Sequence, residues 1–358
     1  MSFRYYIIVF RVSWCGLGNI KGGECMVRKN DKKTLINVEN SIKKSNELSM
    51  AKLSHGLTLN QTQLLAFAIF STQKNGVTSF QKADFEKKFE IESYNTKYAN
   101  RDAEAILGLK FTAAKELEQD RFDHHNVFQR ISYYKGTFNF KWSEDIVPHI
   151  LNLKNKYVLT DLTITSQFKS SYSWILYDFL KAHYGYWHLP ISKEELLKLF
   201  GVENKKSYLM NTGMFKLKVL DVAIEEINTL TELKIMYKEE KRGKSIVGFD
   251  IHWSYGTIIP CATEKQIKHL EEIVALVKED MFIFINLQDR KNREEAIEAI
   301  KEIENMKTSL IRPAVITRDY ANELITKATN SLNRLNYFLK EDNQETIEVP
   351  LFNWLEGE

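Results

Sequence analysis

Apolar residues along the 358-residue chain recur at two alternating spacings, three to four residues apart and then two apart. Thr58 opens a Thr-x-x-Gln start with Gln61, and Leu64, Leu65, Phe67, Ala68 and Phe70 follow at helical spacing up to the Asn75-Gly76 turn. A short extended piece at 78–80, a helix over 82–89 and a helix over 98–115 softened at Gly108 come next. Phe138, Phe140 and Trp142 then alternate onto one face of a hairpin, 127–134 with 137–142, turned at Lys135-Gly136. A further helix is predicted over 143–155 on Ile146, Ile150 and Leu151, with Pro148 weakening its start, and 156–165 links it onward.

The same order then returns. A helix over 167–183 buries Tyr172, Ile175, Leu176, Phe179 and Leu180; a strand covers 186–189; and a Ser192-x-x-Glu195 start leads a helix to Gly201. A long helix over 212–230 presents Phe215, Val219, Leu220, Ala223, Ile224 and Ile227 on one face. A hairpin follows, with Leu233, Ile235 and Tyr237 against Val247, Phe249, Ile251 and Trp253, turned at Lys241-Arg242-Gly243-Lys244. Even the closing strands rhyme: Phe138, Phe140, Trp142 in one copy and Phe249, Ile251, Trp253 in the other. Helix, short strand, helix, helix, hairpin, written twice, is two copies of a winged-helix unit. The predicted fold class is α+β and mainly helical: two tandem winged-helix domains over 58–155 and 156–254, with a helical C-terminal extension over 255–358. Helices are expected over 263–306 and 319–339, and the polar, Lys-rich stretch 26–55 reads as a mobile arm or loosely docked helix within an N-terminal arm, 1–57.

Composition adds a bias to this picture. The overall net charge of +3 hides an uneven distribution, since residues 255–358 hold 13 Lys and Arg against 19 Asp and Glu, leaving 37 against 28 for residues 1–254. A basic body of net +9 with an acidic tail of net −6 suits a polyanion binder, because cations that neutralise phosphates release counterions. Cys15, Cys25 and Cys261 have neither metal-like spacing nor even pairing, which points to a reducing, cytoplasmic setting and gives no nucleophile. The apolar run Tyr5–Phe10 is far too short for a membrane span and the N-terminus meets a signal-peptide pattern poorly, so no membrane role is expected. Lys21-Gly22-Gly23 just ahead of Met26 reads as a translated ribosome-binding sequence, so natural translation is expected to start at Met26.

Candidate chemistry concentrates on helix 212–230 and its hairpin. Lys218 points away from the buried stripe together with Leu217, whereas Lys216 lies nearer the buried face and must snorkel from the first turn. Both also read as ordinary solvated lysines; the helix N-terminus, where backbone N–H groups favour phosphate, tilts them toward a ligand. Lys241, Arg242 and Lys244 are either a phosphate-touching wing or simply a polar turn. Gly243-Lys244-Ser245 mimics the end of a phosphate-binding loop, but position 238 is Lys and the setting is strand to strand, which excludes nucleotide binding. Enzymatic readings fail on spacing. The eight histidines (55, 124, 125, 149, 183, 188, 252, 269) contain no pair one residue apart of the kind a metal-dependent nickase needs. Glu194/Glu195 and Glu225/Glu226 read as solvated or capping acids, and no catalytic triad, metal-ligand set or cofactor motif stands out.

The blocks Phe168-Lys169-Ser170-Ser171-Tyr172-Ser173 before Leu176-Tyr177, Ile191-Ser192-Lys193-Glu194-Glu195-Leu196 ending in Leu199-Phe200-Gly201-Val202, and Phe215-Lys216-Leu217-Lys218-Val219-Leu220-Asp221 with Ala223-Ile224 and Glu226-Ile227-Asn228 keep their order over 156–253. In these blocks the chain closely resembles the plasmid replication initiators, twin winged-helix Rep proteins that bind iterons; residues 58–142 resemble the first winged helix of that family more diffusely. The resemblance implies a non-enzymatic initiator that binds direct repeats in double-stranded origin DNA, helps open an A·T-rich region and recruits the host initiator and replicative helicase. It also implies a second winged helix that reads the major groove, and a first one that assists as a monomer and forms a self-repressing dimer. Carried over by position, Lys216 and Lys218 fall in the family's basic cluster, with Leu217 in place of a cation and suited to a thymine methyl. Trp174-Ile175 replaces an Arg before the Leu-Tyr pair, leaving a backbone contact to Lys169, Ser170 or Ser171.

The tail gives a separate expectation. Glu348-Val349-Pro350-Leu351-Phe352 resembles the short peptides that dock into bacterial sliding clamps, through Val349, Leu351 and Phe352; alternatively, Leu351, Phe352 and Trp354 fold back over a helix. Two other functions fit the same pattern, a winged-helix transcription regulator and a winged-helix protein-interaction scaffold.

Overall fold

The computed structural model describes residues 30–50, 56–111, 124–183, 186–311 and 316–342. Two units, each of helices with a three-stranded sheet, carry the repeat. In the first, helices Leu59–Phe70, Lys82–Lys88 and Thr96–Leu107 lie with an antiparallel sheet in which Thr137–Trp142 runs between Thr78–Gln81 and Phe128–Tyr134. In the second, helices Ser171–Ala182, Lys193–Leu199 and a helix over 212–230 accompany a sheet in which Ser245–Tyr255 runs between His188–Ser192 and Leu233–Arg242. Strand order is the same in both, as the rhyme of the closing strands requires. Phe138, Phe140 and Trp142, like Phe249, Ile251 and Trp253, all turn inward and are buried. Helix starts follow the written caps: Thr58 with Gln61 and Ser192 with Glu195 form reciprocal capping boxes.

A single apolar core runs from Ile42 to Trp253 through both units. Phe89 of the first unit meets Trp174 of the second with ring centroids 6.3 Å apart. Polar contacts accompany this join: Lys44 pairs with Asp178, which also accepts a hydrogen bond from Thr160 at 2.9 Å.

Three stretches depart from expectation. Residues 33–50 are not an arm. Lys33–Ile36 pairs in parallel with Thr257–Pro260, and Ser41–Ser45 pairs antiparallel with Tyr157–Asp161, before a helical turn at Asn46–Met50. The stretch therefore straps the exit of the second unit to the first, its buried positions limited to Ile36, Ile42, Ser45 and Leu48. Such sparse burial hides a strand from periodicity. The helix expected over 98–115 ends at Leu107 with Gly108 as its cap, and Lys110–Phe111 is a strand. The helix expected over 143–155 is one turn, Val147–Ile150, with Pro148 at its start, and the chain then extends into Tyr157–Asp161.

Beyond Pro260, helices Glu264–Glu279, Arg290–Leu310 and Arg318–Glu341, with a short helix Met281–Ile285, enclose a second core of their own around Leu270, Phe284, Ala299 and Leu335. Residues 1–25 and the 349–355 peptide lie outside the described residues. Among the described residues no helix is long and apolar enough to cross a membrane.

Candidate nucleic-acid interface

Helix 212–230 begins on Asn211, whose side chain accepts a hydrogen bond from the Met214 backbone at 3.1 Å. Over Lys216–Leu220 it widens into a π-helical turn, so the N–H of Asp221 donates to the carbonyl of Lys216, five residues back. The predicted inner face holds. Phe215, Val219, Leu220, Ala223 and Ile227 are fully buried and Ile224 nearly so. Leu217 is 59% exposed and Lys218 beside it is exposed.

Lys216 behaves differently. Its ammonium pairs with Glu239 of the hairpin and lies 5.6 Å from the centre of the Tyr237 ring. Glu239 also holds Lys241 at 2.9 Å. The hydrogen bond to Glu239 raises the Lys216 ammonium above its ordinary range, and the bonds from Lys216 and then Lys241 lower the Glu239 carboxyl below its own. Tyr237 donates to Asp221 at 2.7 Å; burial, followed by that bond, pushes its hydroxyl up to about 12. Helix and hairpin are thereby fastened beyond the core by polar contacts after the apolar row Leu233, Ile235 has run out.

The wing projects past this junction. Its ladder slips register between Glu240 and Lys241, and a two-residue turn at Gly243, with φ +62°, reverses the chain. Lys241, Arg242 and Lys244 are all exposed.

Lys169, Ser170 and Ser171 gather elsewhere. Ser170 caps helix Ser171–Ala182, accepting from the Tyr172 N–H at 3.2 Å, and Lys169 is exposed while Ser171 is half-buried. Glu226, on helix 212–230 two turns beyond Lys218, accepts from the Lys169 N–H at 2.9 Å and from the Ser173 hydroxyl. The structure thus brings Lys216 and Lys241 onto one carboxylate and places Lys169 to Ser171 at a second junction of the same helix. Trp174 is core, 1% exposed.

Sequence reasoning missed several neighbours. A short helix, Lys206–Met210, precedes helix 212–230; its Leu209 and Met210 are exposed, Met210 at 88%, as is Met214 in the first turn that follows. Periodicity gives no sign of it because no residue of that helix is buried. In the first unit, the equivalent helix exposes Lys97, Tyr98 and Arg101, with Arg101 over the Tyr98 ring at 5.1 Å. Its hairpin turn exposes Tyr134, with Lys135 over the ring at 5.3 Å. Aligning the two repeats position by position would have found both. Among the described residues, no three His, Cys, Asp or Glu side chains are grouped to hold a metal ion.

Comparison with known proteins agrees with this architecture. Residues 41–181 match the family model described as Initiator Replication protein, WH1, and residues 192–253 match that described as Initiator Rep protein, WH2. The chain is 29% identical to the PI protein of Escherichia coli over 198 residues, 51% of this chain and 60% of that protein's length. A crystal structure of Pi initiator protein in complex with iteron DNA is similar at 23% identity and a TM-score of 0.47, covering 62% of this chain and 99% of that one. With both winged-helix units matched, in order and together over more than half its length, the chain belongs to the family of plasmid replication initiators with twin winged helices.

Proposed function

We propose that this protein initiates plasmid replication by binding directly repeated duplex sites at an origin, without enzymatic chemistry of its own. The observation that carries the reading is the cation-bearing end of helix 212–230 with its wing: Leu217 and Lys218 exposed on the helix, Arg242 and Lys244 exposed at the turn. Leu217 suits a thymine methyl in the major groove, and the lysines and Arg242 suit phosphate. Lys169, Ser170 and Ser171 supply a second backbone contact at a capped helix start. The first unit assists with Lys97, Tyr98, Arg101 and Lys135, its auxiliary role supported by the repeated fold. Iteron binding by the Pi initiator protein, named in its crystal structure, supports the choice of direct repeats.

Origin opening, recruitment of the host initiator and helicase, and repression of its own gene as a dimer complete the proposal. The C-terminal helical body, which has its own core and lies outside the family match, offers surface for partners. Val349, Leu351 and Phe352 are proposed to engage the sliding clamp, and a Phe352→Ala protein retained by the clamp as well as wild type would remove that part. The central test is a gel shift on direct repeats from the plasmid's own origin against scrambled duplex, joined to replication of a minimal origin with the protein supplied in trans. Shift of both duplexes alike, or of neither, would refute sequence-specific binding; specific binding without replication would make the protein a transcription regulator.

A further inference from the structure

We propose that Glu239 is a charge-balancing residue of the DNA interface: it holds Lys216 and Lys241 back from phosphate, lowering sequence-independent attraction so that binding rests on the groups that read the site. The inference deepens the proposed function and depends on it.

The placement follows from strand alternation. Leu233, Ile235, Tyr237 and Glu239 occupy the side of the strand that faces the helix, so the row passes from buried apolar residues through a half-buried tyrosine to an acid. Glu239 is the first member beyond the core, and it stands opposite the first turn of the reading helix, where the field favours anions. A carboxylate there repels a phosphate backbone. Yet both of its oxygens are engaged, Oε1 by Lys216 and Oε2 by Lys241 at 2.9 Å. Lys216 is half-buried against the Tyr237 ring. Two of the five cations on this surface, Lys216, Lys218, Lys241, Arg242 and Lys244, are therefore engaged within the protein by one carboxylate, which offsets one of their two charges. Phosphate attraction contributes to every duplex equally, whereas base contacts discriminate. Removing two phosphate contacts thus weakens competitor DNA while leaving the reading groups untouched.

Glu239→Gln keeps the shape and removes the charge. Its affinity for scrambled duplex should rise, and the slope of log affinity against log salt should steepen by about one to two, which is roughly 3- to 12-fold more affinity lost between about 50 and 200 mM salt. The ratio of affinities for repeats and scrambled duplex should fall. A second substitution reads the same point without touching the acid: Lys241→Gln should leave the wild-type slope unchanged, because that lysine does not meet phosphate. An unchanged slope in Glu239→Gln, or weaker binding to both duplexes with a shallower slope, overturns the proposal; so does a slope shallower by about one in Lys241→Gln. Failure of the wild-type protein to bind any duplex would instead remove the interface itself, so the two failures are distinguishable.

Discussion

Glu232→Gln tests how the second winged helix is held to itself and to the strand that leads into it. Glu232 follows the reading helix directly and is fully buried, its carboxylate accepting from Tyr177 at 3.0 and 3.2 Å and pairing with Lys181 at 3.1 Å. Lys181, with its side chain 9% exposed, also donates to the Leu159 carbonyl at 2.7 Å and to Tyr177 at 3.0 Å. Three elements therefore meet on one buried ion pair: helix Ser171–Ala182, the strand that joins the units, and the start of the wing hairpin. Gln fills the same space but leaves the ammonium without its counter-charge, and losing one partner of a buried pair costs about 3 to 5 kcal/mol. For a shared core of some 200 residues, the lower figure corresponds to a fall of about 6 to 12 °C in melting temperature. Scanning calorimetry on wild type, Glu232→Gln and Lys181→Met/Glu232→Gln measures it. The double variant should recover most of the loss, since an apolar replacement of a buried pair is often neutral. An unchanged melting temperature in the single variant, or a double variant no more stable than the single, would refute the reasoning.

Three other outcomes are expected. A Cβ at Gly256 would stand 2.1 Å from the Lys32 carbonyl oxygen and 2.9 Å from that of Glu232, both backbone, so Gly256→Ala should detach strand Lys33–Ile36; amide exchange there should quicken, and unchanged protection would show that the strap tolerates the methyl. Burial raises the Tyr177 hydroxyl well above 10, so its contribution is complete below the unfolded value and declines as pH climbs past 10. Stability should then fall by about 1.4 kcal/mol per pH unit more steeply in wild type than in Tyr177→Phe, and parallel alkaline profiles would contradict this. Lys218→Ala should weaken binding to direct repeats and reduce the salt slope by about one if the contact is to phosphate, or cost roughly 1 to 3 kcal/mol and relax one base choice if it is to a base; unchanged affinity and slope would place the interface on another face.

Where a segment buries a continuous stripe, its sequence was sufficient. Helix 212–230 has apolar residues at every position the period demands and the closing strands of both hairpins alternate inward, except that Val247, expected on the inner row with Phe249, is exposed where the ladder slips register after Glu240. Where burial is thin, the sequence was silent: Lys33–Ile36 is held by backbone pairing with Thr257–Pro260, which any side chains would permit. The same division holds for the interface. Spacing separated Lys218 from Lys216 because the helical wheel sets direction, but it could not show that Lys216 is spoken for. Glu239 lies 23 residues away and is an ordinary acid in an ordinary strand until the hairpin folds against the helix. The π-helical turn was likewise invisible, since it moves no residue between faces.

Partners found only in three dimensions give the reading helix a definite setting. Three glutamates from one helix and hairpin, Glu226, Glu232 and Glu239, each bind a different neighbour: the start of helix Ser171–Ala182, the Lys181 and Tyr177 pair, and the two lysines of the helix-wing joint. Glu232 is buried and acts through stability, whereas the other two are near the surface and act through position. A rigid reader places its groups at the cost of ordering already met in folding, so association loses less conformational entropy. In the proposed interface Leu217 would gain most from this, because an apolar contact to a thymine methyl has no charge to guide it and depends on being presented at the right depth. Loosening either end, by Glu226→Gln or Glu239→Gln, should therefore act oppositely on the two kinds of contact. The first releases no cation and should reduce specific binding alone; the second frees two and should raise the non-specific background. Equal effects of the two substitutions on repeats and scrambled duplex would mean that the helix is not fixed by these acids at all.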